Sequence, residues 1–359
     1  MLEKSSVCPG GAVRLGPMRK ALVSVLFSAF LLAFAAATAS AAPAAVGSAA
    51  CTPKTNIEAI VDDSGSMAIT DPNRLRVQAM DLLIETLPQS TTLGAVEFGS
   101  GIEGIPGVFE GTPAAYTLFP PEPIKPNSAA MQSALKSNIN ADDGATDYNG
   151  AFAKADADDP SSQARIFLTD GGHDEGTYNE AHLAHNVPTY VIGFGTAVGS
   201  PEDKARLKKI ATDTGGKVYD LEDASELQAV VNAIGAELTC TTPPRKFTDE
   251  LTQGQSKTHT VTIGPKTHVL RVTLTWAEPG DNFKLTGLRI KSHGRIVAAA
   301  RPQKLPKPKK LKVTVAAKSS TFTVLKVAHL TPGTLQFAVK AAKASGAVKV
   351  TTQVGGEAG

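Results

Sequence analysis

The hydrophobic pattern of this chain changes period near residue 240, and that change limits the possible folds more than any other feature. Before it, short apolar runs at 56–62, 92–98, 165–169 and 187–193 read as strands, joined by an edge strand at 116–119 and a short one at 217–219. Between them lie stretches of helical spacing. Asp71-Pro72 offers a cap and a first-turn proline ahead of Leu75, Met80, Leu82, Leu83 and Leu87, and further helices are predicted at 128–139, 148–157, 201–212 and 224–238. This alternation predicts an α/β fold with a mainly parallel sheet and helices on both faces. After Pro243-Pro244 only short alternating runs remain, at 259–263, 269–276, 285–290, 310–315, 321–327, 335–340 and 347–354, separated by turns such as Ser292-His293-Gly294. About seven such strands predict a small all-β sandwich.

Charge marks the same boundary. Residues 51–240 hold 28 acidic and 12 basic side chains, whereas 241–359 hold 5 and 20, so a net charge of +2 conceals two halves of opposite sign. With 42% hydrophobic residues in 359, the chain can bury a core and is not compositionally disordered. The opposed charges imply different partners for the two halves, or docking of one on the other.

Residues 1–41 have the pattern of a secretory signal peptide: Arg19-Lys20, an apolar run over 21–37, then Ala39-Ser40-Ala41. Met18 stands directly before the charged pair, which leaves 1–17 open to reading as a mis-called start. An uncleaved membrane anchor is the alternative for the run. The expected order is thus signal peptide 1–41, linker 42–53, α/β domain 54–240 and β-sandwich 241–359, in a secreted protein that could be held at the cell surface. Removal of Cys8 with the leader would leave Cys51 and Cys240, which bracket the acidic half and either join in a disulfide or stay as two reduced thiols.

The chemistry concentrates where the predicted strands end. Directly after the first comes Asp62-Asp63-Ser64-Gly65-Ser66, in which Asp62, Ser64 and Ser66 form a D-x-S-x-S pattern. Gly144-Ala145-Thr146-Asp147 offers the Thr146 hydroxyl from a second loop, and Thr169-Asp170-Gly171 offers the Asp170 carboxylate from a third. Oxygen donors on three converging loops suit a hard divalent cation such as magnesium. In this order the motifs resemble a von Willebrand factor type A domain with its metal-ion-dependent adhesion site, over about residues 54–239. The resemblance implies a Rossmann-like fold and a Mg²⁺ or Mn²⁺ ion held by Ser64, Ser66 and Thr146. Asp62 and Asp170 would act directly or through water, and one coordination position would stay open for a partner's carboxylate. It also implies a disulfide between Cys51 and Cys240, as in secreted members. Ala145 replaces a more usual glycine, and His173-Asp174-Glu175 adds acid beyond Asp170 that could shift metal preference or add a second cation. Glu58 lies inside a predicted buried strand without a reason.

Other chemistries find less support. His182 and His185 are spaced to share a helix face and bind zinc, yet no cysteine accompanies them, and a solvated helix end is the plainer expectation. No G-x-S-x-G elbow occurs, and no G-x-x-x-x-G-K phosphate loop, which speaks against a serine hydrolase and an ATP-driven assembly. The lysines at 304–310 have no interleaved aromatics to stack bases, so nucleic acid is not expected. A solvated loop is the plainer expectation for them, and attraction of the basic half to an anionic wall polymer or membrane surface, or docking on the acidic half, is the alternative. Leu274-Thr275-Trp276 with Asp281 is faintly similar to pre-peptidase C-terminal domains, although Asn282-Phe283-Lys284-Leu285 stands where those carry an acidic run. The expected function is metal-dependent protein binding or adhesion without catalysis. A wall-associated scaffold with a structural metal, or a metal-assisted hydrolase, are the alternatives.

Overall fold

Six strands form the first sheet: β1 (Asn56–Asp62), β2 (Thr92–Phe98), β3 (Ala115–Pro123), β4 (Ala164–Thr169), β5 (Thr189–Phe194) and β6 (Val218–Leu221), in the order β3-β2-β1-β4-β5-β6. Only the edge strand β3 runs antiparallel to its neighbour; all other pairs are parallel. The computed structural model describes residues 51–99, 114–140, 144–174, 176–194, 200–221, 224–241, 244–300 and 308–357. The predicted leader at 1–41, Cys8, most of the linker, Glu175 and the lysines at 304 and 307 lie outside these residues.

Interior strands covered on both faces read as continuous apolar runs, and every residue of β4 is buried. On one face Ile57, Ala59 and Val61 of β1 join apolar residues of α2 (Leu75–Thr86), α3 (Ile124–Asn138) and α6 (Leu227–Leu238). Ile60 points the other way, into a second cluster with Tyr148 and Phe152 of α4 (Tyr148–Asp158) and Leu207 and Ile210 of α5 (Pro201–Thr214). Strand order reverses between β1 and β4. Open sheets of this kind bind ligands beyond the carboxyl ends of strands at such a switch point, and Asp62 and Asp170 stand at those two ends.

Helix ends follow local chemistry. Ser200 caps α5 by accepting the Asp203 N–H at 3.0 Å, Pro201 opens the helix, and Gly215 closes it at φ 76°. Helix α2 begins at Leu75, three residues later than the Asp71-Pro72 signal predicts, because Arg74 sits in the left-handed region at φ 52°. Asp71 still caps it: its carboxylate accepts the N–H groups of Leu75 at 2.6 Å and Arg76 at 2.9 Å.

The basic half forms two five-stranded sheets rather than the seven strands expected. One has the order β13 (Lys312–Lys318), β14 (Phe322–Ala328), β9 (Val269–Trp276), β16 (Val348–Glu357), β7 (Arg245–Leu251). The other has β12 (Lys309–Lys310), β11 (Arg295–Ala299), β10 (Asn282–Ser292), β15 (Gly333–Lys343), β8 (Ser256–Ile263). Pairing is antiparallel except between β11 and β12. Val272, Leu274, Trp276, Phe283, Ile290, Phe337 and Val339 fill the space between the sheets. Of the three additional strands, β7 and β11 were missed outright, and the run expected at 310–315 divides into β12 and β13. The turn that hid β11 is a two-residue hairpin, with His293 at φ 50° and Gly294 at φ 77°, the left-handed pair such hairpins require.

The outer face of the first of these sheets rests on α2 and α6. Leu82 packs with Phe322 and Val324. Gln228 Nε2 donates to Thr321 Oγ1 at 2.6 Å, Asn232 Nδ2 to Gln353 Oε1 at 2.8 Å, and Gln353 Nε2 to the Ala229 carbonyl at 2.8 Å. These buried partners satisfy each other, so the buried part of the contact is a fitted polar seam, accompanied by the exposed ion pairs of Lys246 and Lys349 with Glu226.

Cys51 and Cys240 form a disulfide, with Cα atoms 5.7 Å apart and a sequence separation of 189. By the chain-entropy account, so long a loop restricts the unfolded chain strongly. Replacing both cysteines by serine is expected to lower the unfolding free energy by about 2–4 kcal/mol. Denaturant titration of the double variant checks this, and an unchanged midpoint would contradict it.

Candidate metal centre

The turn after β1 is held by its own side chains. Asp62 is fully buried; its Oδ1 accepts the Ser64 N–H at 2.9 Å and its Oδ2 accepts the Thr169 hydroxyl at 2.5 Å. The Ser64 and Ser66 hydroxyls lie 3.1 Å apart, and Ser66 Oγ donates to Asp170 Oδ1 at 2.8 Å. Thr70, at the end of the one-turn helix α1 (Met67–Thr70), donates to the other Asp170 oxygen. Thr146 completes the group from the Gly144–Asp147 loop: a Cβ placed on Gly171 would lie 3.6 Å from Thr146 Oγ1 and 3.9 Å from Ser66 Oγ. Glycine at 171 therefore leaves a small space with hydroxyl oxygens on two sides. All five predicted residues, Asp62, Ser64, Ser66, Thr146 and Asp170, come together here.

The electrostatics of this group are unbalanced. Burial, and then the neighbouring Asp170 charge, raise Asp62 to about 7, against the hydrogen bonds from Ser64 and Thr169. Burial likewise raises Asp170, offset by the Thr70 and Ser66 hydroxyls and the Arg76 charge. Neither carboxylate forms an ion pair among the described residues. Two buried carboxylates beside three hydroxyls, all oxygen donors, fit a hard divalent cation. No cluster of three or more His, Cys, Asp or Glu side chains suited to a metal occurs among the described residues; the hydroxyls are what make this donor set.

A surrounding layer fixes these loops. Asp63, the second acid of the motif, faces away from the first: its Oδ1 meets Arg76 Nη2 at 2.6 Å and its Oδ2 accepts the Asn140 N–H at 2.9 Å. Asp174 accepts the Thr146 N–H at 2.6 Å and returns its own N–H to the Thr146 carbonyl at 3.1 Å. This acid thus holds Thr146 in place, a use that the second-cation expectation did not foresee. His173 Nδ1 accepts the Tyr148 N–H at 3.1 Å, and the Tyr148 hydroxyl donates to the Gly171 carbonyl at 2.6 Å. Thr70, Thr169, Arg76 and Tyr148 escape sequence reading. Only Thr169, inside T-D-G, carried a usable signal.

The histidine expectation needs correction. His182 is buried in a short 3-10 turn, Ala181–Leu183, against the Tyr178 hydroxyl and 3.4 Å from Asp213; it is not a solvated helix end. His185 pairs with Asp156 at 2.8 Å, so the two histidines do not converge on one ligand.

No family model matches the chain. A UPF0353 protein of Mycolicibacterium paratuberculosis is 32% identical over 218 residues, 52% of this chain and 61% of that protein. The chain therefore spans about three-fifths of that relative's length. Solved structures with similarity include a von Willebrand factor type A protein from Catenulispora acidiphila (TM-score 0.42, 16% identity, 86% of this chain and 59% of that one). Proximal thread matrix protein 1 of the mussel byssus, with a zinc-occupied adhesion-site motif, gives TM-score 0.40, 17% identity, and 55% and 50% coverage. The pilus adhesin SpaC of Lactobacillus rhamnosus GG gives TM-score 0.39, 12% identity, and 85% and 44% coverage.

Proposed function

We propose that this chain is a secreted, metal-dependent protein-binding module of the von Willebrand factor type A kind, without catalytic activity. The observation that carries this reading is the group of five oxygen-donor side chains at the switch point of the sheet, with two buried carboxylates that form no ion pair among the described residues. Ser64, Ser66 and Thr146 would hold a Mg²⁺ or Mn²⁺ ion, with Asp62 and Asp170 close by. Once bound, the ion supplies an electrophilic position for an acidic side chain of a protein partner. The chain's own residues do the rest: Thr169 and the Ser64 N–H orient Asp62, Thr70 orients Asp170, and Asp174 fixes the Thr146 backbone.

Calorimetric titration of Mg²⁺ and Mn²⁺ into the wild type, Ser66→Ala, Asp62→Ala and Asp170→Ala tests the site. Binding is expected to weaken by roughly 10- to 100-fold in each variant, the range met when the donors or supports of a metal site are removed. Ser66 is only half-buried, so its variant separates lost ligation from lost fold. Undiminished binding in Ser66→Ala and Asp170→Ala would overturn the assignment. Partner binding that persists after chelation would point to a scaffold with a structural metal instead.

A further inference from the structure

The basic half turns one sheet face away from the seam with α2 and α6. Along β8, β15 and β10 one set of alternate residues is core: Val261 and Ile263, Leu335, Phe337 and Val339, Phe283 and Ile290. The other set points outward. Register places Lys284, Lys340 and Ser256 in one row across the three strands, Arg289, Gln336 and Thr260 in a second, and Lys291, Thr334 and Thr262 in a third. The four cations are exposed.

No aspartate or glutamate occurs in any of the five strands of this sheet. Among the described residues Lys284, Lys291 and Lys340 form no salt bridge, and Arg289 uses Nε on Gln336 Oε1 at 2.9 Å, which orients its guanidinium. Nor does the opposite charge of the other half neutralise this face. Lys246 and Lys349, which pair with Glu226 across the seam, both lie on the other sheet.

We infer that this face binds a linear, phosphate-bearing polyanion laid along β10. At about 3.3 Å per residue, Lys284, Arg289 and Lys291 line up over roughly 20 Å, and β8 offers Ser256, Thr258, Thr260 and Thr262 hydroxyls roughly 10 Å to one side. Cations offset the polymer charge while the hydroxyls donate to individual phosphate oxygens. Nothing aromatic points outward from these three strands to stack bases. Ile296, 39% exposed, is the one large apolar side chain bordering the cations among the described residues, too little to anchor the face in a bilayer. The hydroxyl row would add nothing to mere adsorption on a charged bilayer, whereas it suits discrete oxygens along a chain.

Fluorescence anisotropy with labelled inorganic polyphosphate, using the full chain, tests this. The variant Lys284→Gln/Arg289→Gln/Lys340→Gln is expected to weaken binding on the order of 100-fold at ~0.1 M salt. A variant with the same charge loss elsewhere on the basic half, Lys266→Gln/Lys312→Gln/Lys318→Gln, should change it by less than about threefold, since screening limits distant charges. Equal losses in both triples would overturn the assignment, as generic charge would then explain binding. Absence of polyphosphate binding would overturn it too, whether or not the protein adheres to vesicles of phosphatidylglycerol and phosphatidylcholine.

Discussion

Replacing Glu58 by glutamine is expected to stabilise the protein by about 3 kcal/mol at pH 7 and by almost nothing near pH 4.5. Glu58 lies in the middle of the sheet, fully buried, and neither of its oxygens has a hydrogen-bond partner among the described residues. It fits only because its neighbour on β2 is glycine: a Cβ on Gly94 would come within 2.1 Å of Glu58 Oε2. Arg165 is its register partner on β4, yet that guanidinium binds Asp156 instead. Burial first, and then the charges of Asp159 and Asp158, raise the Glu58 carboxyl to about 9, with Arg165 and Lys154 opposing. The folded protein therefore keeps a proton there that the unfolded chain releases above pH 4.5.

The sign follows from that difference. Between pH 4.5 and 9 the native state binds more protons than the unfolded state, so the Glu58 contribution to stability falls as pH rises, by about 1.4 kcal/mol per pH unit and about 6 kcal/mol in all. Glutamine has the same shape and no such proton. Urea unfolding of both proteins at pH 5 and pH 8 should give stabilities that diverge by about 4 kcal/mol. Parallel stabilities across that range would mean that Glu58 is ionised in the folded protein.

How far the sequence anticipates these features depends on whether a residue's role is local. Strands β1, β2 and β9 match their predicted bounds because each is a continuous or alternating apolar run flanked by polar residues. That Asp62, Ser64, Ser66, Thr146 and Asp170 lie together was legible because the motif spacing puts each at the end of a strand or in a turn. Edge strand β7 was hidden by Arg245-Lys246 and Asp249-Glu250, since an edge strand can leave most of its side chains in water. Thr70 resembles any other helical threonine until the fold brings Asp170, 100 positions away, to its hydroxyl. Glu58 looked anomalous in sequence, and the glycine that makes room for it lies on the neighbouring strand. Arg76 was indistinguishable from a surface arginine of an amphipathic helix. Roles set by contacts far apart in sequence have no local pattern by which to be recognised.

Arg76 is the side chain on which the Asp62–Ser66 loop and the start of α2 both depend, and Arg76→Ala is expected to destabilise the protein by about 3–5 kcal/mol. The guanidinium is fully buried and bridges two buried carboxylates, Asp63 at 2.6 Å and Asp71 at 3.1 Å. Removing it leaves both acids without their counter-ion, and a stranded buried charge costs far more than the intact pair contributes. Asp71 would then face conflicting demands, because the Leu75 and Arg76 N–H groups on its two oxygens favour the ionised form, whereas burial already raises its carboxyl. Asp63 would lose its Arg76 contact and keep the Asn140 N–H. The triple variant Arg76→Met/Asp63→Asn/Asp71→Asn, which removes the charges together, should recover much of the stability, because neutral amides need no counter-ion. Metal affinity is expected to fall in Arg76→Ala under conditions where it remains folded, as the Ser64–Ser66 turn loses its support. If Arg76→Ala unfolds at the wild-type denaturant midpoint, the bridge is not what ties the Ser64–Ser66 turn to α2.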